Sequence, residues 1–285
     1  MSIGQSQAIN GSSGNRPQKE TAMLPQAEDL RAEGADFYAF LDRLRPEDWD
    51  RPTPFKGWTP NDVVQHLHMG DWMAVLSMTD EAAFLELLEK RKSVRESGVG
   101  GEGIGPEMQT GAALREQWYG YFRQLCDLLS ARDPKDRVLW VGPSMSVRMC
   151  ATARQMETWA HAQDIYDLLR APREHFDRIR NIAEIGVRTY GWTFANRGEE
   201  PPAPTAPYVR LTAPSGAVWE WGEPSETDRV EGSALEFCQV VTQGRNIADV
   251  NLTVIGEPAQ RWMAIAQCFA GPPRNPPAKG ERAWT

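Results

Sequence analysis

The sequence predicts an α+β protein, with an all-helical first part and a smaller mixed second part. Three observations carry that reading. Apolar residues recur at helical spacing from Gln26 to Ala195, and a proline-rich segment, Glu199–Pro207, then breaks the pattern. Beyond it, Val209–Leu211 and Val218–Trp221 bracket Pro214-Ser215-Gly216, which reads as two strands joined by a turn.

Residues 1–20 are rich in Ser, Gly, Gln and Asn and read as a disordered lead-in. They hold no basic stretch followed by an apolar one, so a secretory signal is not expected. A first helix is expected from Gln26 to Leu44, where Leu30, Phe37, Phe40, Leu41 and Leu44 share a face, and Pro46 ends it. The next has a clear start: Thr59 as N-cap, Pro60 at the first helical position and Asp62 in the first turn, where a carboxylate complements the helix dipole. It runs through His66 and Trp72 to about Met78. A short helix around Glu81–Lys92 leads to a glycine-rich loop at 98–105.

Helical spacing resumes over 110–131 through Leu114, Trp118, Tyr121, Phe122, Leu125 and Leu128. A long helix follows over Met145–Leu169, ending before Pro172, and another stretch covers Phe176–Ala195. In the second part, Ser233–Thr242 reads as helix, Val250–Ile255 as strand and Pro258–Phe269 as a closing helix after Gly256. The expected division is therefore 21–200 for the helical domain, 201–273 for the mixed domain and 274–285 for an irregular tail.

Composition narrows the function. With 41% hydrophobic and 25% charged residues the chain is an ordinary globular one, and no apolar run approaches the ~20 residues of a membrane span. A net charge of −8 argues against a nucleic-acid surface, which needs clustered Lys and Arg. Cys126, Cys150, Cys238 and Cys268 form no C-x-x-C pair, so reduced thiols in a cytoplasm are expected. The expected partner is a small molecule.

Chemistry concentrates in Met156-Glu157-Thr158-Trp159-Ala160-His161-Ala162-Gln163-Asp164. Four residues apart, Glu157 and His161 project from one helix face, on a stripe that also holds Cys150, Asp164 and Leu168. A carboxylate and an imidazole there need one more partner to hold a divalent ion with open coordination positions. The upstream helix offers His66 and His68, which point in roughly opposite directions, so only one can face the pair. The same residues would also serve as an i,i+4 pair on a solvated face, with the upstream histidine a hydrogen-bonded core residue. Asp164 reads either as an acceptor that orients an imidazole N–H or as a solvated charge. Cys150 reads as a small buried thiol. Trp72, Trp118, Trp159 and Trp192 read as mostly core, and Trp219 and Trp221 as one strand face packed on helices.

Gly57-Trp58-Thr59, Asp62-Val63 and His66-Leu67, together with Met156 to His161 and Gln163-Asp164, resemble the mycothiol-dependent maleylpyruvate isomerase family of the DinB-like metalloproteins. Phe237 to Gln243, Gly256, Trp262-Met263 and Ala266 to Gly271 are similar to an uncharacterised metal-binding branch of it, and the likeness spans about Ala27 to Pro273. The resemblance implies an N-terminal up-down four-helix bundle with a divalent metal held by His66, Glu157 and His161, and a C-terminal sterol-carrier-like α/β domain. Zn²⁺ is the expected ion, with Ni²⁺ or Fe²⁺ satisfying the same donors.

The implied activity is that of a metal-dependent isomerase or thiol transferase acting on a small electrophile, assisted by a low-molecular-weight thiol such as mycothiol. Arg245 is similar to a basic position in the family and is a candidate to bind a substrate carboxylate. Relatives often carry a second basic residue where this chain has Gly244, and a plain surface arginine is the alternative. Two other functions use the same sequence: hydrolysis by metal-bound water, and non-enzymatic ligand binding or metal sensing.

Overall fold

The computed structural model describes residues 24–97 and 104–282. The lead-in expected at 1–20 and most of the loop at 98–105 lie outside the described residues. In chain order the elements are α1 (Pro25–Leu41), α2 (Pro60–Thr79), α3 (Glu81–Ser97), α4 (Gly111–Ser130), β1 (Arg137–Val138), β2 (Met145–Ser146), α5 (Val147–Leu169), α6 (Arg180–Arg188) and α7 (Tyr190–Ala195). The second part adds β3 (Tyr208–Thr212), β4 (Val218–Trp221), β5 (Arg229–Ser233), α8 (Ala234–Val241), β6 (Thr253–Ile255) and α9 (Glu257–Ile265).

The α+β class and the four-helix bundle are both present. α1 and α2 each lie against α4 and α5. Arg31 reaches Asp127 and Arg115 reaches Asp42, so α1 and α4 run in opposite senses. Gly111 N–H donates to Asn61 and, further along both helices, Trp118 Nε1 donates to Asp71, so α2 and α4 run in the same sense. The directions are up, down, down, up, because α3 packs back along α2 before α4 begins.

Phe37, Trp118 and Phe122 meet at ring-centroid distances of 5.3 Å in the bundle core. Gly34 makes that contact possible, since a Cβ there would overlap the Phe122 ring. Gly70 serves the same end on α2: a Cβ would stand 2.6 Å from the Arg154 guanidinium, which crosses α2 to pair with buried Asp71 at 2.8 Å.

The four-stranded sheet has the order β4-β3-β5-β6. β3 is antiparallel to β4, with Leu211 opposite Trp219, and parallel to β5, with Val209 opposite Val230. Its buried face, Val209, Leu211, Trp219 and Val230, joins α6, α7, α8 and α9 in a second core. Trp221 follows suit by donating from Nε1 to Glu184 of α6 at 2.6 Å. Ile179 to Phe194 contribute to this second core, so residues on both sides of the division expected at 200 share it. Two side chains of α5, Met156 and Trp159, do so as well.

Several elements differ from expectation. The stretch Phe176–Ala195 is a 3-10 turn followed by two helices, interrupted at Thr189, whose hydroxyl donates back to the Ile185 carbonyl. β5 was not legible, because its run Arg-Val-Glu-Gly-Ser has one apolar side chain and owes its pairing to the strands beside it. β6 keeps only Thr253–Ile255, and α9 stops at Ile265, where Ala266 turns extended. Trp192 is not core: it is 43% exposed.

The segment joining α5 to α6 is locked to α1 by Glu33, which accepts from Arg173 at 2.9 Å and from Arg178 at 2.7 Å. His175 sits between those arginines, and burial, with their charges in support, brings its imidazole down to about 3. The folded protein therefore holds His175 neutral. From the ordinary 6.5 down to that value the unfolded chain binds a proton the folded chain refuses, so stability falls as pH drops through this window. Denaturant titrations against pH should show this acid loss in the wild type and a flatter profile in His175→Gln. Gly34→Ala should cost about 1–3 kcal/mol by overpacking. Arg154→Met should cost about 3–5 kcal/mol, because it strands Asp71 in the core.

Candidate metal centre

α2 is started by a capping box. Thr59 Oγ1 accepts from Asp62 N–H at 3.2 Å, and Asp62 accepts from Thr59 N–H at 2.8 Å, with Pro60 at the first helical position. Asp62 is thus a cap, and the helix it starts turns His66 toward α5. His68 points the other way, fully buried against Tyr121 at 5.1 Å between ring centroids. α5 is started by Ser146, whose hydroxyl accepts from Met149 N–H, and it carries Glu157 and His161 at mid-length.

The structure brings the three side chains together. His66 Nε2 lies 3.1 Å from Glu157 Oε2, and His161 Nε2 lies 3.7 Å from the same oxygen. One donor atom from each residue falls within 4.8 Å of the other two. Behind the cluster, His161 Nδ1 meets Asp164 Oδ2 at 3.0 Å. Asp164 is 2% exposed, so it is no solvated charge.

Electrostatics fit a cluster poised for a cation. Burial pushes the Glu157 carboxyl up, but the His66 hydrogen bond and the charges of His161, His66 and Arg154 outweigh it and bring it down to about 2. Burial lowers the His66 imidazole against the opposing pull of Glu157. An ionised Glu157 carboxylate is the state that metal ligation requires. Cys150 stays out of this chemistry, since burial drives its thiol up to about 12.

The cluster lies in the wall of a cavity of about 680 Å³ between α2, α5, the loop before α2, the end of α8 and the chain after α9. Phe55 and Trp58 cage the histidines: Trp58 stacks on His161 at 5.7 Å and stands 5.3 Å from His66, and Phe55 meets His161 edge-on at 5.1 Å. Lys56 and Gly57 shape that loop with left-handed φ values of 54° and 69°. Lys56 and Arg274 place cationic groups at the rim, and neither is in an ion pair among the described residues.

Arg245 departs from expectation on both counts. It is 4% exposed, so it is not a surface arginine. Nor does it line the cavity, because Nη1 and Nη2 each grip the Asp167 carboxylate at 2.8 Å and so are taken up inside the protein. Sequence reasoning missed Phe55, Lys56 and Arg282 altogether. The first two lie in a short connection with no periodicity, though the aromatic-Lys-Gly-Trp run next to a strong helix start is a usable signal. Arg282 lies in a tail with no pattern at all.

The family model described as the mycothiol maleylpyruvate isomerase N-terminal domain matches residues 30–166, the span that contains all three candidate ligands. Two uncharacterised proteins from strains of Mycobacterium tuberculosis are 40% identical over 250 residues, covering 87% of this chain and 96% of theirs. The chain belongs to one family with these two mycobacterial proteins, and within it residues 30–166 match the mycothiol maleylpyruvate isomerase N-terminal domain. Crystal structures of a mycothiol-dependent maleylpyruvate isomerase, one of them a mutant, cover 76% of this chain and 87% of their own at 14% identity, with TM-scores of 0.46 and 0.45.

The aromatic cage makes the loop before α2 a sensitive point. Gly57→Ala should cost about 1–2 kcal/mol for its left-handed backbone. It should also alter the near-UV circular dichroism of the Trp58 environment.

Proposed function

We propose that this chain is a divalent-metal-dependent enzyme that uses a low-molecular-weight thiol to isomerise, or to transfer sulfur to, a small electrophile. The observation that carries the reading is the convergence of His66, Glu157 and His161 on one cavity wall, with donor atoms within 4.8 Å of one another. The residues fit a metal by their chemistry as well as their spacing. Two imidazoles and a carboxylate suit Zn²⁺, with Ni²⁺ and Fe²⁺ as further candidates, and three protein donors leave positions for exogenous ligands. A carboxylate on the far nitrogen of a histidine, as Asp164 is on His161, is the usual companion of such a ligand.

Bound there, a divalent ion supplies Lewis acidity that stabilises a thiolate or polarises a carbonyl oxygen. The protein supplies the rest. Phe55 and Trp58 cover the His161 imidazole and restrict water on that side, while His66 stays open to the cavity with its side chain 40% exposed. Lys56 and Arg274 offer positive charge to an anionic group on either reactant, and the 680 Å³ volume accommodates a thiol beside a small electrophile. All four cysteines are buried, so the thiol has to come from outside the chain. The family model that matches residues 30–166 is by description a mycothiol maleylpyruvate isomerase domain, which supports mycothiol as that thiol.

In the isomerase form, sulfur adds to a conjugated double bond, the resulting single bond rotates, and expulsion of the same sulfur restores the alkene with no net change in composition. In the transferase form the carbon–sulfur bond persists and the thiol proton ends on the substrate.

Element analysis of the purified full chain should find about one ion per protein, as expected for a single three-ligand site. His66→Ala and Glu157→Ala should lose it while remaining folded by circular dichroism. Maleylpyruvate offered with and without mycothiol should turn over only with the thiol and the metal together. Full turnover by metal-free protein, or stoichiometric metal retained in His66→Ala, would overturn the reading.

A further inference from the structure

Asp164 is where the ligand cluster meets the carboxy-terminal end of the chain. Its Oδ2 faces His161 Nδ1 at 3.0 Å, and its Oδ1 accepts from Nη2 of Arg282. Arg282 also donates from Nη1 to the Gln243 carbonyl at 3.3 Å and lies over the Phe55 ring at 5.4 Å. It is 7% exposed, buried as Asp164 is. One turn along α5, Asp167 is held in the same manner by Arg245. Two buried carboxylates on one helix are matched by two arginines from remote parts of the chain.

The strap that delivers Arg282, residues 271–282, has no helix or strand, yet its backbone is fixed by side chains. Gln243 Nε2 donates to the Arg274 carbonyl at 2.9 Å, and Asn246 Nδ2 to the Pro277 carbonyl at 2.8 Å. Gln267 accepts from Arg274 N–H at 2.9 Å, and Asp249 from Gly280 N–H at 2.8 Å. Polar side chains of the mixed second part, Gln243, Asn246, Asp249 and Gln267, therefore place this arginine, and through it the strap reaches the bundle's ligand cluster.

A neutral imidazole carries one N–H, and its place decides which nitrogen keeps a lone pair. A carboxylate at Nδ1 holds the proton there and leaves Nε2, the nitrogen facing Glu157, as the donor atom. That grip is only as definite as the carboxylate's own orientation. Arg282 fixes the second oxygen of Asp164 and compensates its charge away from water.

We propose that Arg282 is a positioning residue for the metal centre: through Asp164 it fixes the Nδ1–H tautomer and ring orientation of His161, so tight metal binding requires the carboxy-terminal strap. The proposal rests on the metal reading above.

The test compares the full-length wild type with Arg282→Met, Arg282→Lys, Asp164→Asn and Arg245→Met. It uses Zn²⁺ affinity from chelator competition, ¹⁵N shifts of the His161 imidazole in metal-free protein, and thermal melting. Arg282→Met and Asp164→Asn should each weaken Zn²⁺ binding by about 10–100-fold. Both should shift His161 from a single tautomer to a mixture, and Arg282→Lys should restore part of each. Arg245→Met breaks the neighbouring pair, whose Asp167 lies 4.0 Å from Arg282, so it should lower the melting temperature and change affinity and tautomer far less than Arg282→Met does. Unaltered affinity and tautomer in Arg282→Met would overturn the proposal, as would an equal loss in Arg245→Met. Should Arg282→Met not fold, Arg282→Lys decides the question: a measurable loss of Zn²⁺ affinity with a mixed His161 tautomer supports the proposal, and wild-type affinity and tautomer overturn it. A wild type that binds no Zn²⁺ overturns the metal reading instead, while the metal-free tautomer still reports on the strap.

Discussion

Everything in this molecule turns on a helix that has almost no free face. α5 gives Cys150, Ala151, Ala162 and Ile165 to the bundle core and Met156 and Trp159 to the second core, and its remaining stripe, Glu157, His161 and Asp164, faces the cavity. A helix buried on several sides cannot be rotated to suit one of them alone. Its polar side chains must then find partners in the interior. They do so across the whole chain: Arg154 with Asp71, Gln155 with Asn181, Gln163 with Arg173, Asp164 with Arg282, Asp167 with Arg245.

Magnitudes decide what these pairs do. An exposed pair such as Lys90–Glu86 contributes about 0–1 kcal/mol and specifies little. A buried pair adds little net stability over an apolar replacement, but removing one partner costs about 3–5 kcal/mol. The Arg154–Asp71 bridge, one turn before Glu157, therefore acts mainly by excluding other arrangements. Turning α5 by one residue, about 100°, would carry Glu157 away from His66 and strand Arg154 at the same time. The stability of the interior and the geometry of the cluster are one constraint.

Legibility followed locality. α2 was readable to within a residue because Thr59, Pro60 and Asp62 satisfy its first N–H groups with side chains three residues apart. The opposite directions of His66 and His68 follow from the helical step, although only the resemblance to a family selected His66 beforehand. β5 escaped, since its register is written in β3 and β6 and not in its own alternation. Arg245 was visible as a residue but not in its role, because nothing near it in sequence announces Asp167. Trp192 shows the same limit in reverse, with core-like neighbours in the chain and solvent beside it in space.

By itself the sequence determined the elements whose information is local: the helix starts, the stripe that joins Glu157, His161 and Asp164, the break at the proline-rich segment and the hairpin at Pro214-Ser215-Gly216. Tertiary structure alone decided that α2 meets α5 at the height of His66, that Phe55 and Trp58 cage the histidines, and that the last described residue of an unpatterned tail closes on Asp164. The physical reason is the reach of the forces involved. Capping and periodicity act within a turn or two of backbone, whereas the partner of a buried charge is chosen by packing, which no short window of sequence contains.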